Sequence, residues 1–177
     1  MLNLRKILTN AVLFIILLSF MAISVLMYFG IGGTKDLYDL SGMFIPDMNM
    51  FHSNDSLMEY FDAWGPQGRL YYIRYQYRDF IYPIIYSVLM SAILIRLIKP
   101  KHFNFWAIVP MFAMLFDFAE NYFLRVLVYD YPNLDPQNIT NATVFSSLKW
   151  LTILLSIILI FIAFSRRRIA YNKSQAE

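Results

Sequence analysis

An all-α bundle of four membrane-spanning helices is the fold class this sequence predicts, and three observations predict it. Four apolar runs each approach the ~20 residues a helix needs to cross a bilayer. Apolar residues make up 59% of the 177 and charged residues only 15%, against ~25% charged in ordinary soluble domains. Nearly all the clustered Lys and Arg flank the apolar runs. The spans fall at about 7–29, 79–98, 103–128 and 144–164, with polar segments at 30–78 and 129–143, all within one integral membrane domain, 1–177.

The first run, Ile7 to Phe29, follows Arg5 and Lys6. It exceeds the 7–15 apolar residues typical of a signal peptide, so a retained anchor is expected. Gly30, Gly32 and Gly33 end it. The segment 30–78 is acidic, through Asp36, Asp39, Asp47 and Asp55, and is expected to be partly helical and outside the membrane. A helix start is expected near Asn54 to Ser56 and a turn at Trp64–Gly68. One long helix should then enter the membrane near Asp79, with Pro83 its sole breaker. Arg69, Tyr72, Gln76, Asp79, Pro83 and Tyr86 follow 3/4 spacing along one face of it. Arg69, Arg74 and Arg78 read as an interfacial collar that snorkels to headgroups, with a guide for an anionic substrate as the alternative.

Lys99 to His102 should form a tight connection to the third span. Pro110, one turn into that span, should weaken the helix before Asp117. The segment 131–143 is too rich in Pro and Asn for a helix, so Asn141 or Thr143 should cap the fourth span. Three basic flanks (Arg5/Lys6, Arg96/Lys99/Lys101, Arg166–Arg168 with Lys173) share one side of this arrangement. The positive-inside rule then gives a cell-membrane protein with both termini cytoplasmic.

The third span carries Asp117, Glu120 and Asn121 among apolar residues, at i, i+3 and i+4 on one face. A charge at the bilayer centre costs several kcal/mol, so such groups face a protein interior and have partners. At 1.5 Å per residue, Lys149 of the fourth span reaches their depth in the outer half of the bilayer, with Asp79 above. Asp79, Asp117, Glu120, Asn121 and Lys149 are the expected ligand-binding residues, with Arg69 and Arg125 peripheral. Glu120 or Asp117 is the candidate for handling a proton. The expected ligand is a small or lipidic molecule. Proton- or ion-coupled transport is one alternative, and a structural or accessory subunit whose ion pair only fixes packing is another.

Several classes are excluded. The chain has no cysteine, which removes disulfides, thiolate nucleophiles and Cys-bound metals. His52 and His102 are expected on opposite sides of the membrane and outside the spans, so neither a metal site nor a histidine base is expected. Phosphate-binding and hydrolase motifs are missing, so no cofactor is implied. Whether the protein is an enzyme stays open. The partners foreseen are the lipid bilayer, the ligand and further copies of the chain, without nucleic acid, since the net charge of +3 lies at membrane flanks.

The order AWGPQGRLYY, DFIYPIIY, DFAEN and SLKW, from Trp64 to Leu155, resembles a family of small, largely uncharacterised four-span bacterial membrane proteins. That resemblance implies a four-helix membrane fold and no catalytic role. A more distant similarity is to the four-helix sterol-isomerase-like membrane fold, whose intramembrane histidine has no counterpart in these spans.

Overall fold

The computed structural model describes residues 4–98 and 104–175, and every regular element among them is helical. A short α1 (Leu4–Ile7) leads into α2 (Asn10–Phe29), capped by the Thr9 hydroxyl, which accepts from the Val12 N–H. Arg96 donates to the Asn10 side chain at 2.7 Å and to the Leu8 carbonyl, fixing this end of α2. After the glycine turn come α3 (Thr34–Ser41), a 3-10 turn at Pro46–Met48, α4 (Asn54–Asp79) and α5 (Tyr82–Leu97). A second 3-10 turn, Asn104–Ile108, leads into α6 (Val109–Asp130), and α7 (Pro136–Gln175) follows. The expected tight connection, with Lys99, Pro100, Lys101 and His102, lies outside the described residues.

Four of these stretches are long and apolar enough to cross a membrane. The most buried is the one containing α6, at 44% of its apolar window, against 11% for those of α2 and α7. So α6 is the central helix. It packs chiefly on α7 and also on α5, while α2 leans on α5. Helices α2 and α7 have little direct packing on one another.

The segment between α2 and α5 is a helical cap whose core is continuous with α2 and α6 through Met27 and Leu124. Leu37, Leu57 and Phe61 are wholly buried there, packed with Trp64, Leu134 and Ile139. Ser53 starts α4 through a reciprocal capping box with Ser56, one residue before the expected start. Inside α4 the chain kinks at Gly65, with φ 59° and ψ −170°. Pro66 then occupies the first position of the next helical piece, where its missing N–H costs nothing. A Cβ at Gly65 would meet no atom within 4 Å, so the requirement is purely conformational. Gly65→Ala is therefore expected to destabilise by about 1–3 kcal/mol through backbone strain alone, read as a lower Tm in detergent. An unchanged Tm would show that the kink relaxes freely.

The structure corrects three expectations about helix continuity. The long helix is interrupted at Phe80 and Ile81, after which α5 starts with Pro83 in its first turn. Pro83 has no N–H to donate back to the preceding turn, so the hydrogen-bond ladder lapses while Phe80 and Ile81 keep right-handed helical dihedrals. Pro110 likewise stands in the first turn of α6, marking the change from 3-10 to α rather than a kink within a span. The Pro- and Asn-rich segment is helical from Pro136, eight residues before the expected span. Asp135 accepts from the Gln137 N–H at 3.1 Å, and proline suits the first helical position. At 40 residues α7 is about 60 Å long, far more than the bilayer core demands. Its first turns therefore belong to the cap.

Candidate functional site

The face of α6 turned toward the bundle carries Pro110, Ala113, Asp117, Glu120, Asn121, Leu124 and Leu127, all buried at 3/4 spacing. Lys149 comes from α7 and is 4% exposed, beside a fully buried Glu120. Its ammonium ion-pairs with Glu120, lies 3.9 Å from Asp117 Oδ1 and donates to the Asp47 carbonyl at 2.9 Å. Asp79 sits at the last turn of α4, just before the break. It accepts from Asn121 Nδ2 at 2.7 Å, and the same amide lies 3.4 Å from Asp117 Oδ1. Asn121 thus stands between two carboxylates. The five residues expected at the site, Asp79, Asp117, Glu120, Asn121 and Lys149, are brought together in one buried cluster.

The face of α4 and α5 anticipated from spacing also turns inward, since Tyr72, Gln76, Asp79, Pro83 and Tyr86 are buried. Tyr86 donates its hydroxyl to Asp117 at 3.0 Å, and Gln76 donates to the Asn121 carbonyl at 3.3 Å. Arg125 is peripheral, donating to Gln76 and covering the rings of Tyr77 and Phe80. Arg69 is elsewhere. It donates to the Phe61 carbonyl at 2.6 Å and stacks on Tyr131, which places it at the α4 kink. Arg78 donates to the Gly32 carbonyl, so the expected collar is in part a brace of the glycine turn.

Two members of the cluster come from a segment that sequence spacing does not place. Residues 49–52 run along α7, where Ser146 donates to the Asn49 carbonyl and Ser147 to the Met50 carbonyl. Thr143 accepts from the His52 N–H and donates back to the His52 carbonyl. These hydroxyls, spaced i, i+3 and i+4, satisfy the backbone of an extended strip and hold it against the helix. The side chain of His52, expected outside any site, is consequently buried, with its Nε2 3.8 Å from Glu120 Oε1. Asp47 is buried too, and its Oδ2 accepts from the Tyr72 hydroxyl at 2.6 Å.

Polar capacity is left over. Asp47 Oδ1, Asn121 Oδ1 and His52 Nε2 are buried without a hydrogen-bond partner. Burial raises the Asp47 carboxyl above its ordinary range, and Glu120 adds to the rise, while Lys149 and the Tyr72 hydroxyl oppose it. A raised native pKa means the folded state keeps this proton more readily than the unfolded chain. The associated stability is full below the unfolded pKa of ~4 and is lost as pH rises through the folded value. Asp47→Asn is expected to remove that slope from thermal unfolding as pH rises above about 4. An unchanged slope would assign it to other groups.

A cavity of about 360 Å³ opens beside the cluster, between α2 and α7. Ser24 and Met27 of α2 and Trp150 and Ile153 of α7 form its sides, and Asp47, Asp79, Asp117 and Lys149 supply its polar wall. No three His, Asp or Glu side chains among the described residues are grouped to hold a metal ion. The arrangement can accept hydrogen bonds from a ligand and exchange protons with it. No family model matches this chain, and neither does any curated protein or solved structure, so the chemistry of the site rests on its own residues.

Proposed function

We propose that this chain is a multi-pass membrane protein that binds an amphiphilic lipid-like ligand between α2 and α7. The polar head lies on the Asp47, Asp79, Asp117, Glu120, Asn121 and Lys149 cluster, and the apolar chain extends toward surrounding lipid. One observation carries this reading: a cavity with a charged wall lies between two span-length helices that have little direct packing on one another. Its volume is near the lower end of the ~300–1,000 Å³ found for small-ligand sites, enough for a headgroup and the start of a tail. The basic flanks support cytoplasmic termini and a site near the outer leaflet.

A structural role is the competing reading, favoured by the wholly buried Glu120–Lys149 pair. Filling the cavity separates the two. Ser24 lines the cavity, and its hydroxyl donates to the Phe20 carbonyl of its own helix beside the Tyr82 hydroxyl. Ser24→Trp is expected to keep the wild-type Tm and to lose an amphiphile that native mass spectrometry detects on the wild-type protein. If wild type and variant carry the same bound lipids, the cavity is not the binding site. If neither carries any, the structural reading stands.

A further inference from the structure

The balance of charge at the cavity narrows the ligand class. This deepening rests on the reading of the cavity as a ligand site. Asp47, Asp79 and Asp117 line the space, and Glu120 lies directly behind them. Lys149 is the one cation among the lining residues, and it is already engaged by Glu120 and the Asp47 carbonyl. The other basic groups nearby are turned elsewhere. Arg125 lies over Tyr77 and Phe80, Arg78 holds the Gly32 carbonyl, and His52 faces Glu120. Buried carboxyl groups therefore outnumber the cations that could neutralise them, an arrangement that favours an added positive charge over an anion.

Two independent features point the same way. Asp47 Oδ1 has no hydrogen-bond partner, and its residue is only 6% exposed at the wall of the cavity. The rest of the lining is aromatic to an unusual degree, with Phe20, Tyr28, Tyr75, Tyr82, Tyr86 and Trp150 around the space. Ring faces attract cations, most strongly where water is excluded. Trp150 already serves Lys149 in this way, with the ammonium 5.4 Å from its ring centre. Phosphate or carboxylate headgroups would meet the same carboxylates with repulsion and would find no guanidinium among the residues that line the cavity.

We infer that the cavity between α2 and α7 takes the protonated amine of a long-chain amphiphile. Asp79, Asp117 and the free oxygen of Asp47 accept its hydrogen bonds, and the aromatic walls surround its charge. The chain leaves through the gap between α2 and α7. Three hydrogens on a primary ammonium match three carboxylate acceptors on different elements, whereas a hydroxyl head offers one donor and no charge.

The test uses wild-type protein in phosphatidylcholine nanodiscs at neutral pH, with hexadecylamine, hexadecanol and hexadecanoate as probes of one chain length. Hexadecylamine is expected to raise Tm and to bind about tenfold more tightly than hexadecanol, and hexadecanoate to give no shift. Equal binding of the amine and the alcohol, or tighter binding of the acid, would overturn the cationic assignment while leaving the amphiphile site in place. Binding of none would overturn both. The preference should also be lost in Asp79→Asn, which keeps the size of the side chain and the Asn121 contact region. If this variant folds poorly, Ser24→Trp provides the location control, since amine binding that survives a filled cavity is binding somewhere else.

Discussion

Lys149→Met is expected to be the most damaging single substitution in the site, lowering stability by about 3–5 kcal/mol, the range for breaking a buried pair. The ammonium is enclosed by α6, α7 and the 45–52 segment, and its removal leaves Glu120, Asp117 and Asp47 facing one another without a cation. Glu120→Gln should cost clearly less. Lys149 would still have Asp117 at 3.9 Å and the Asp47 carbonyl, and the crowding of carboxylates would be relieved. The double variant should be more stable than Lys149→Met alone, with a coupling of about 1–3 kcal/mol. Equilibrium unfolding of the four proteins in one detergent measures this cycle. Equal costs for the two single variants would mean that Glu120 alone holds the ammonium, which removes the argument for a surplus of acid.

Asn121→Leu is the second large effect, about 2–4 kcal/mol. Leucine copies the branching of asparagine but is bulkier, so the loss reports missing hydrogen bonds together with some overpacking, and no cavity. The Asn121 amide gives Asp79 its 2.7 Å bond and also faces Asp117, and a hydrogen bond to a charged group contributes ~1.5–3 kcal/mol. A Leu there leaves Asp79 buried at the end of α4 without that donor. The check is a second double cycle, Asn121→Leu with Asp79→Leu, where removing both partners should recover part of the loss. If Asn121→Leu unfolds like wild type, Asp79 is held by something other than this amide.

Much of this cluster could be read from spacing, and the reason is periodicity. On α6 the polar residues share the inward face with Ala113, Leu124 and Leu127, so helical spacing alone aims them together. The same holds for Tyr72, Gln76, Asp79 and Tyr86, although a helix break at Phe80 and Ile81 intervenes. Depth along the helix then brought Lys149 level with Glu120. His52 and Asp47 were beyond such reasoning because the 42–53 segment has little helical period to read. Its path is fixed by hydroxyls 90 or more residues away, on Thr143, Ser146 and Ser147. In isolation those three residues look like mild interruptions of an apolar span. The early start of α7 was hidden differently: Asp135–Pro136 is a helix start, but the Asn and Thr that follow have low helix propensity and read as loop.

Since α2 and α7 frame the cavity with little direct packing, the proposed membrane setting would leave its mouth to be finished by lipid acyl chains. The bilayer is then a component of the site and sets its width. Thicker or more tightly compressed lipid would press α2 toward α7 and narrow the opening, while thin, loosely packed lipid would let it widen. Under the proposed function, affinity for an amphiphile would become a function of lateral pressure, and occupancy alone would register the mechanical state of the membrane.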